Sequence, residues 1–463
     1  MPIVSPYIVL PEFIPPLPSW LGKFVQKICR LAHQEYSKVM GSTLWKGVFV
    51  IGSGTALAQI IGIITTPIIT RLYSPFDFGL LGIYSSVLTI LMVAASLRYE
   101  YAIPVPKDSS RAANILVLCM MIIIGVAAIL FISFLFAGNW IANMLGLQDL
   151  LPYIWLIIIG FLGAGIYQAL NYWAIRQRDY PRITRTRINQ GLGGSLSKIL
   201  FGLLSFGPLG LILGHIISNV AGIYTFAKAI VKKDRHEFRN VSTTNVRLVA
   251  REYRSFPLYS APATFLFAVS LQIPVFMLSI MYDFSVVGWY TLAYQILALP
   301  IALISGSMAQ VFYGEAAKSA RESPETLRNL YVDTTKKLTL IGIPLVSVIA
   351  IVAPLIFPIV FGGAWEEAGL FCLPLALVAI SQFIVTPTSK LAVYGFNNWD
   401  FYFNLARMIL SFAGFYIAII FNFEPLISLT IYGMIMAAMY IVLYLLNLHA
   451  ISRLNLKGGI LHE

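Results

Sequence analysis

Apolar runs of about the length needed to cross ~30 Å of hydrocarbon recur from Gly47 onward, separated by short polar breaks. They fall at 47–70, 79–97, 112–137, 151–174, 188–206, 208–231, 256–281, 286–312, 338–361, 368–394, 401–421 and 425–450, twelve predicted spans. In hydrocarbon every backbone N–H and C=O has to be bonded within its own segment, so the pattern predicts an all-α polytopic membrane protein. Breaks after odd-numbered spans are small, the longest being the weakly charged Gly138–Leu150. Breaks after even-numbered spans are longer and basic, above all Arg176–Arg187 and Lys228–Arg254. The sparsest break is Gly207-Pro208, which has to turn the chain between spans five and six.

Composition agrees with this reading, since 58% hydrophobic residues, 11% charged residues and a mean hydropathy of +0.80 exclude a water-soluble globule. Charge adds orientation. Of the 32 Lys and Arg residues, Arg71 lies on the side of the small breaks, and Lys198, Lys390 and Arg407 lie inside spans; the other 28 sit in the N-terminal region, the C-terminal tail or the breaks after even spans. Loops that keep Lys and Arg stay in the cytoplasm during insertion, so both termini are expected there, in a bacterial cytoplasmic (inner) membrane. The net charge of +12 is thus spread along a lipid surface, where it sets topology and meets anionic head groups. Nucleic acid is not an expected partner. Cys29, Cys119 and Cys372 have no metal-ligand spacing and read as packing residues, so no metal or cofactor is expected.

Residues 1–45 hold neither a span nor a signal peptide. After a Pro-rich start, Trp20, Leu21, Phe24, Val25, Ile28 and Leu31 fall at helical spacing, with Lys23, Lys27 and Arg30 on another face. This reads either as an amphipathic helix on the cytoplasmic leaflet or as an upstream extension of a chain whose translation begins near Met40. The remainder divides into an N-terminal six-helix bundle at 46–231, a basic cytoplasmic linker at 232–254, a C-terminal six-helix bundle at 255–450 and a tail at 451–463. An internal match supports the halves: Leu72-Tyr73 followed by Gly79 recurs as Met281-Tyr282 followed by Gly288, an offset of about 209 residues, at the first break of each half. A second match, offset by about 220, sets Arg187 opposite Arg407. Tyr-to-Gly turns are common between spans, and coincidence is the alternative. An even number of spans per unit makes the repeat parallel, two bundles around a central cavity.

An ionised side chain near the bilayer centre costs roughly 2.5–3.5 kcal/mol on the lenient insertion scale, so it should face a cavity or a partner. Lys198, close to the midplane of span five, Arg407, two turns into span eleven, and Lys390, near the inner end of span ten, are such cations. Every carboxylate falls at a span end or in a break, so the interior suits an anion. Arg187, Gln190, Gly191, Gly194 and Lys198 form one polar or small stripe of span five, either a cavity lining or a close helix contact with Lys198 bonded to carbonyls. Lys390 has a stem long enough to snorkel to water. Gln59 and Gln295 are further candidates for bonding sugar hydroxyls, among other polar residues within spans such as Gln168, Asn171, His215, Gln272, Gln382 and Asn404. Arg98 and Glu100 close span two and Glu315 ends span eight, either an inner gate that pairs across the halves or ordinary interfacial caps. Pro67 and Pro274 fall in the first span of each half, where a missing backbone donor lets the helix bend.

Three segments carry a family likeness: Ser53-Gly54-Thr55-Ala56-Leu57-Ala58-Gln59, Leu72-Tyr73-Ser74-Pro75-Phe76-Asp77-Phe78-Gly79 and Leu97-Arg98-Tyr99-Glu100-Tyr101-Ala102-Ile103-Pro104. They resemble the opening of bacterial Wzx-type polysaccharide flippases for O-antigen and capsule, in the MATE-like MOP superfamily. The resemblance implies movement of an undecaprenyl-pyrophosphate-linked oligosaccharide (an O-antigen, capsule or exopolysaccharide repeat unit) from the cytoplasmic to the periplasmic leaflet by alternating access. A monomer in the bilayer, working beside polymerase and other polysaccharide assembly proteins, is the expected setting. H+ or Na+ coupling and drive by the membrane potential both stay open. Two rivals are weaker. A MATE-type drug antiporter for cations would need carboxylates within the bundle, and a membrane polymerase or glycosyltransferase would need outer loops large enough for a reaction site, so no enzyme is expected.

Overall fold

Several breaks carry the chemistry that starts the next helix. The computed structural model describes residues 43–322, 324–389, 391 and 396–454. The N-terminal amphipathic segment, Cys29 and Lys390 lie outside the described residues. Along the chain run α1 (Thr43–Leu72), α2 (Pro75–Leu91), α3 (Ser109–Leu145), α4 (Ile154–Arg176), α5 (Tyr180–Leu203), α6 (Pro208–Val220), α7 (Ile223–Ala229), α8 (Thr243–Glu252), α9 (Ala261–Met281), α10 (Phe284–Pro300), α11 (Gly306–Glu322), α12 (Pro324–Phe361), α13 (Glu366–Val385), α14 (Asn397–Ile420) and α15 (Pro425–Leu454). No strand occurs among the described residues. Residues 52–454 belong to one compact unit, and 43–51 to a separate N-terminal one.

Ten of the described helical stretches are long and apolar enough to cross a membrane. Two more helices occupy predicted spans two and five. α2 is apolar but only 17 residues long, and α5 loses hydropathy to Arg182, Arg185, Arg187 and Lys198. Capping fixes several starts. The Ser74 hydroxyl accepts from the Asp77 N–H while the Asp77 carboxylate accepts from the Ser74 N–H, a reciprocal box followed by Pro75 at the first helical position. Asp283 accepts from the Phe284 N–H at the start of α10. Gly207 takes φ +56° before Pro208 opens α6, so the sparse Gly-Pro break is a real turn.

Span nine is longer than expected, its helix beginning at Pro324 rather than 338, whereas span two is shorter. Its helix stops at Leu91 rather than 97, and the chain turns through residues 92–98 into a 3-10 segment, Tyr99–Ala102. Leu97 and Arg98 both adopt positive φ, 49° and 66°, a strained conformation for side chains of this size. The run Met92-Val93-Ala94-Ala95 is apolar and has no Gly or Pro, so nothing local announces the break. What holds it is tertiary: Glu100 is 1% exposed, accepts from Ser96 Oγ, from Gln168 Nε2 at 2.8 Å and from Arg98 at 3.4 Å.

The halves touch through α2 and α10 in a reciprocal crossing. A Cβ added to Gly79 would land on the Phe284 carbonyl, and one added to Gly288 would land on the Pro75 carbonyl. These are the glycines of the sequence repeat, and their partners are related by the same offset. The backbones therefore meet at a distance that no other residue permits. Nearby, Trp365 Nε1 donates to the Thr70 carbonyl at 2.9 Å, and the Phe78 and Trp365 rings pack edge-on at 4.8 Å. Arg71, the cation on the unexpected side, donates to the Ile359 carbonyl at 3.1 Å in the last turn of α12. It caps a helix C-terminus, where positive charge is favoured, which accounts for its place on the weakly charged side. These contacts cluster at the end of the molecule that bears the small breaks.

The segment predicted as a linker is docked on the first half. Val246 and Val249 of α8 are buried, the Tyr99 hydroxyl donates to the Ala250 carbonyl at 2.8 Å, Arg111 pairs with Glu252 at 3.4 Å and Trp173 Nε1 donates to Asp234 at 2.9 Å.

Candidate functional site

The interior cations are positioned by small residues in one half and by aromatic ones in the other. Lys198 sits in the last third of α5, five residues from its C-terminal end and so nearer that end than the sequence-based span placed it, half-buried, with its stem laid against Gly214 of α6. A Cβ at Gly214 would collide with Lys198 Cγ, so the glycine is what admits the side chain. Tyr73, buried at the end of α1, donates its hydroxyl to the Lys198 carbonyl at 2.7 Å and pins this turn of α5. His215 follows Gly214 and rests edge-on against Tyr84 at 5.8 Å. Among the described residues no carboxylate lies within salt-bridge distance of Lys198.

The rest of the α5 stripe is packed rather than open. Gly191 faces Ala58 of α1, Gly194 faces Ser218 of α6, Gln190 Nε2 donates to the Asn219 carbonyl at 3.4 Å, and Ser218 donates back to the Gln190 carbonyl at 3.0 Å. Arg187 lies 5.7 Å over the Tyr167 ring with a buried, unbonded Nε.

In the second half Arg407 of α14 is 3% exposed. It donates to Ser270 Oγ of α9 at 2.7 Å and lies over the rings of Phe267 and Phe403, at 5.2 and 5.8 Å. Its Nε is buried without a partner. Asp400 stands two turns back on the same face, about 10 Å along the axis, and Tyr294 and Tyr432 are within electrostatic reach. The expectation of an interior free of acids is therefore qualified at Arg407 by Asp400, and in the first half by Glu100, which is 1% exposed. Tyr290 stacks on Tyr294 at 5.9 Å, and the Tyr294 hydroxyl donates to Gln382 at 3.4 Å. This tyrosine group escaped the sequence reading, although Tyr290 and Tyr294 stand at i, i+4 in a predicted span.

Other candidates separate. Gln168 bonds Glu100, Asn404 Nδ2 donates to the Asp400 carbonyl, and Gln272 accepts from Ser86 Oγ at 2.8 Å across the two halves. Gln59 is half-buried and Gln295 exposed, and the structure brings neither to a cation. Arg98 pairs with Glu100 and Tyr101 inside the first half, while Glu315 is exposed, so the three gate candidates do not meet here. Pro67 lies inside α1 and Pro274 inside α9. Cys119 and Cys372 are buried free thiols, and no cluster of metal ligands occurs among the described residues.

A family model described as "Polysaccharide biosynthesis protein" matches residues 68–369. The chain belongs to that family. Similar to it is the teichuronic acid biosynthesis protein TuaB of Bacillus subtilis (strain 168), 23% identical over 295 residues, which are 61% of this chain and 57% of TuaB. The match thus spans less than two thirds of that relative. Among solved structures, an inward-facing multidrug resistance MATE transporter of the MOP superfamily superposes with a TM-score of 0.68 at 17% identity, covering 87% of this chain and 96% of that one. An outward-facing MATE transporter gives 0.58 at 15% identity over 89% and 96%. A MOP transporter from Pyrococcus furiosus, reported with a binding pocket of reverse polarity, gives 0.53 at 15% over 88% and 96%. The fold is the one these MATE transporters share, and with ten apolar helical stretches of membrane-crossing length among the described residues it is that of a multi-pass membrane protein.

Proposed function

We propose that the protein is a flippase that carries an undecaprenyl-pyrophosphate-linked oligosaccharide from the cytoplasmic to the periplasmic leaflet by alternating access. The observation that carries the reading is the pair of interior cations, Lys198 and Arg407, with no carboxylate within salt-bridge distance among the described residues. A buried positive group without a counter-charge is costly alone and favourable beside an anion, which a pyrophosphate head supplies. Membership of the polysaccharide biosynthesis family, with a relative named for teichuronic acid biosynthesis, supports a glycan as the rest of the cargo. The Pyrococcus transporter described with reversed pocket polarity supports the idea that this fold accepts pockets of either sign.

In this reading the molecule has twelve spans in two six-helix bundles, both termini are cytoplasmic, and the contacts around Gly79 and Gly288 close the periplasmic end. The cargo head enters from the basic end, its pyrophosphate meets Lys198 and Arg407, and the tyrosines of the second half stack against sugar rings. The polyprenyl tail stays in the bilayer. Moving two negative charges outward is favoured by roughly 4.6 kcal/mol at 100 mV, so the membrane potential suffices as a drive. A carrier of cationic drugs is disfavoured by the same two residues. The test is the double variant Lys198→Ala/Arg407→Ala in cells that make the polysaccharide. It inserts normally and leaves lipid-linked oligosaccharide on the inner leaflet; native transport in that variant would overturn the reading.

A further inference from the structure

A second concentration of positive charge lies away from both interior cations. Arg182 and Arg185 at the start of α5, Lys228 at the end of α7, and Lys232 and Lys233 in the following π-turn line a recess of about 320 Å³ together with Tyr224. The two nearest carboxylates in the sequence are engaged. Asp179 caps α5 and pairs with Arg182 at 2.9 Å, and Asp234 is held by Trp173. Arg185, Lys228, Lys232 and Lys233 have no carboxylate within salt-bridge distance among the described residues. Arg182 and Arg185 also occupy the first turns of a helix, where the backbone dipole is already positive and cations are unfavourable. Four unpaired cations and a helix N-terminus around one recess make a site of strong positive potential, which an anion would relieve.

The surface beside the recess names the kind of anion. Arg185 shares its face of α5 with Leu192, Leu196, Leu200 and Leu203, a stripe directly opposite the one that carries Gly191, Gly194 and Lys198. All four leucines are exposed. Tyr224 is exposed as well, with Lys228 over its ring at 5.6 Å. Cations at one end of an exposed leucine stripe match a phosphate head with acyl chains, and a face of leucines offers nothing to a sugar.

We infer that this recess binds the head group of an anionic bilayer phospholipid, one with two phosphates filling it best, whose chains lie along the leucine stripe of α5. The site is made of residues other than those of the proposed cargo site, and its test does not depend on transport. The full-length chain in phosphatidylcholine nanodiscs is titrated with cardiolipin and bound lipid is read by native mass spectrometry. Arg185→Gln/Lys228→Gln/Lys232→Gln is compared with Arg235→Gln/Arg239→Gln/Arg247→Gln, which removes equal charge elsewhere in the same region. The recess variant is expected to bind at least about tenfold more weakly than the parent, since each basic residue at an anionic surface contributes about fivefold. The control variant is expected to bind like the parent. Equal loss in both variants overturns the site. Inorganic pyrophosphate binding as tightly as cardiolipin overturns the role of the chains, and displacement of cardiolipin by undecaprenyl pyrophosphate at equal concentration reassigns the recess to the cargo. If the triple variant does not fold, Lys232→Gln alone serves, with a loss of about threefold to fivefold expected and no loss overturning the proposal.

Discussion

In the first half the interior cation is a lysine admitted by a glycine, half-buried, its ammonium without a salt-bridge partner among the described residues. In the second it is an arginine clasped by Ser270 and two phenylalanine rings, with Asp400 two turns away and tyrosines around it. The two halves nonetheless meet on equal terms at α2 and α10, each offering a glycine to the other's carbonyl. Pseudo-symmetry is thus kept where backbone meets backbone and relaxed around the two interior cations. A repeated fold can keep one shared contact and two unlike cation environments, because close backbone contact admits one residue type while side-chain packing admits many.

The largest effect is expected from breaking the shared contact. Gly79→Val and Gly288→Val each place a branched carbon against a backbone carbonyl that cannot rotate away, so each should destabilise by at least about 3 kcal/mol. Thermal unfolding in detergent measures this, and the two values should agree; a large inequality would mean the halves are not equivalent even here. Next is Arg407→Ala, which leaves Ser270 and the ring faces unfilled. Loss of a charged, buried hydrogen bond costs about 1.5–3 kcal/mol, so both stability and transport should fall. Arg407→Lys keeps the charge without the planar fork and should recover stability only in part.

Lys198→Ala should separate the two properties, with little change in unfolding temperature and at least about a tenfold fall in transport. Gly214→Ala sharpens the point, since it displaces the lysine stem without removing the charge and should reproduce the transport defect. If Gly214→Ala transports normally while Lys198→Ala does not, the charge matters and its placement does not. The smallest effect belongs to the prolines. Pro274→Ala restores a backbone donor inside α9 and should slow transport about twofold to threefold with normal insertion, and Pro67→Ala should do the same if the first spans bend alike.

Much of the architecture was legible because lipid imposes a simple code. Helix length, small breaks and the side that bears Lys and Arg follow from the energetics of hydrocarbon, and α2 and α5 alone miss the length or apolarity expected of a span. The repeat at Gly79 and Gly288 was readable for the same reason that it is structural, since glycine alone fits there. What escaped was set by tertiary contact. The end of α2 at Leu91 depends on Glu100 reaching Ser96 and Gln168. The α5 stripe reads either as a cavity lining or as a close helix contact, and it is Ala58 and Ser218, far away in the chain, that pack against it. The docking of the basic linker was hidden because its anchors, Val246, Val249 and the backbone of Ala250, differ little in type from ordinary loop residues. The recess of Arg182, Arg185 and Lys228 was divided between two separate basic breaks, and only folding joins them.

The crossing of α2 and α10 also sets a scale of leverage. From Gly79 to Leu91, and from Gly288 to Pro300, each helix extends about 18 Å beyond the contact. A contact made of backbone has no side chain that can yield, so a swing of about 10° there would become about 3 Å at Leu91 and at Pro300. That is roughly the width of one water molecule.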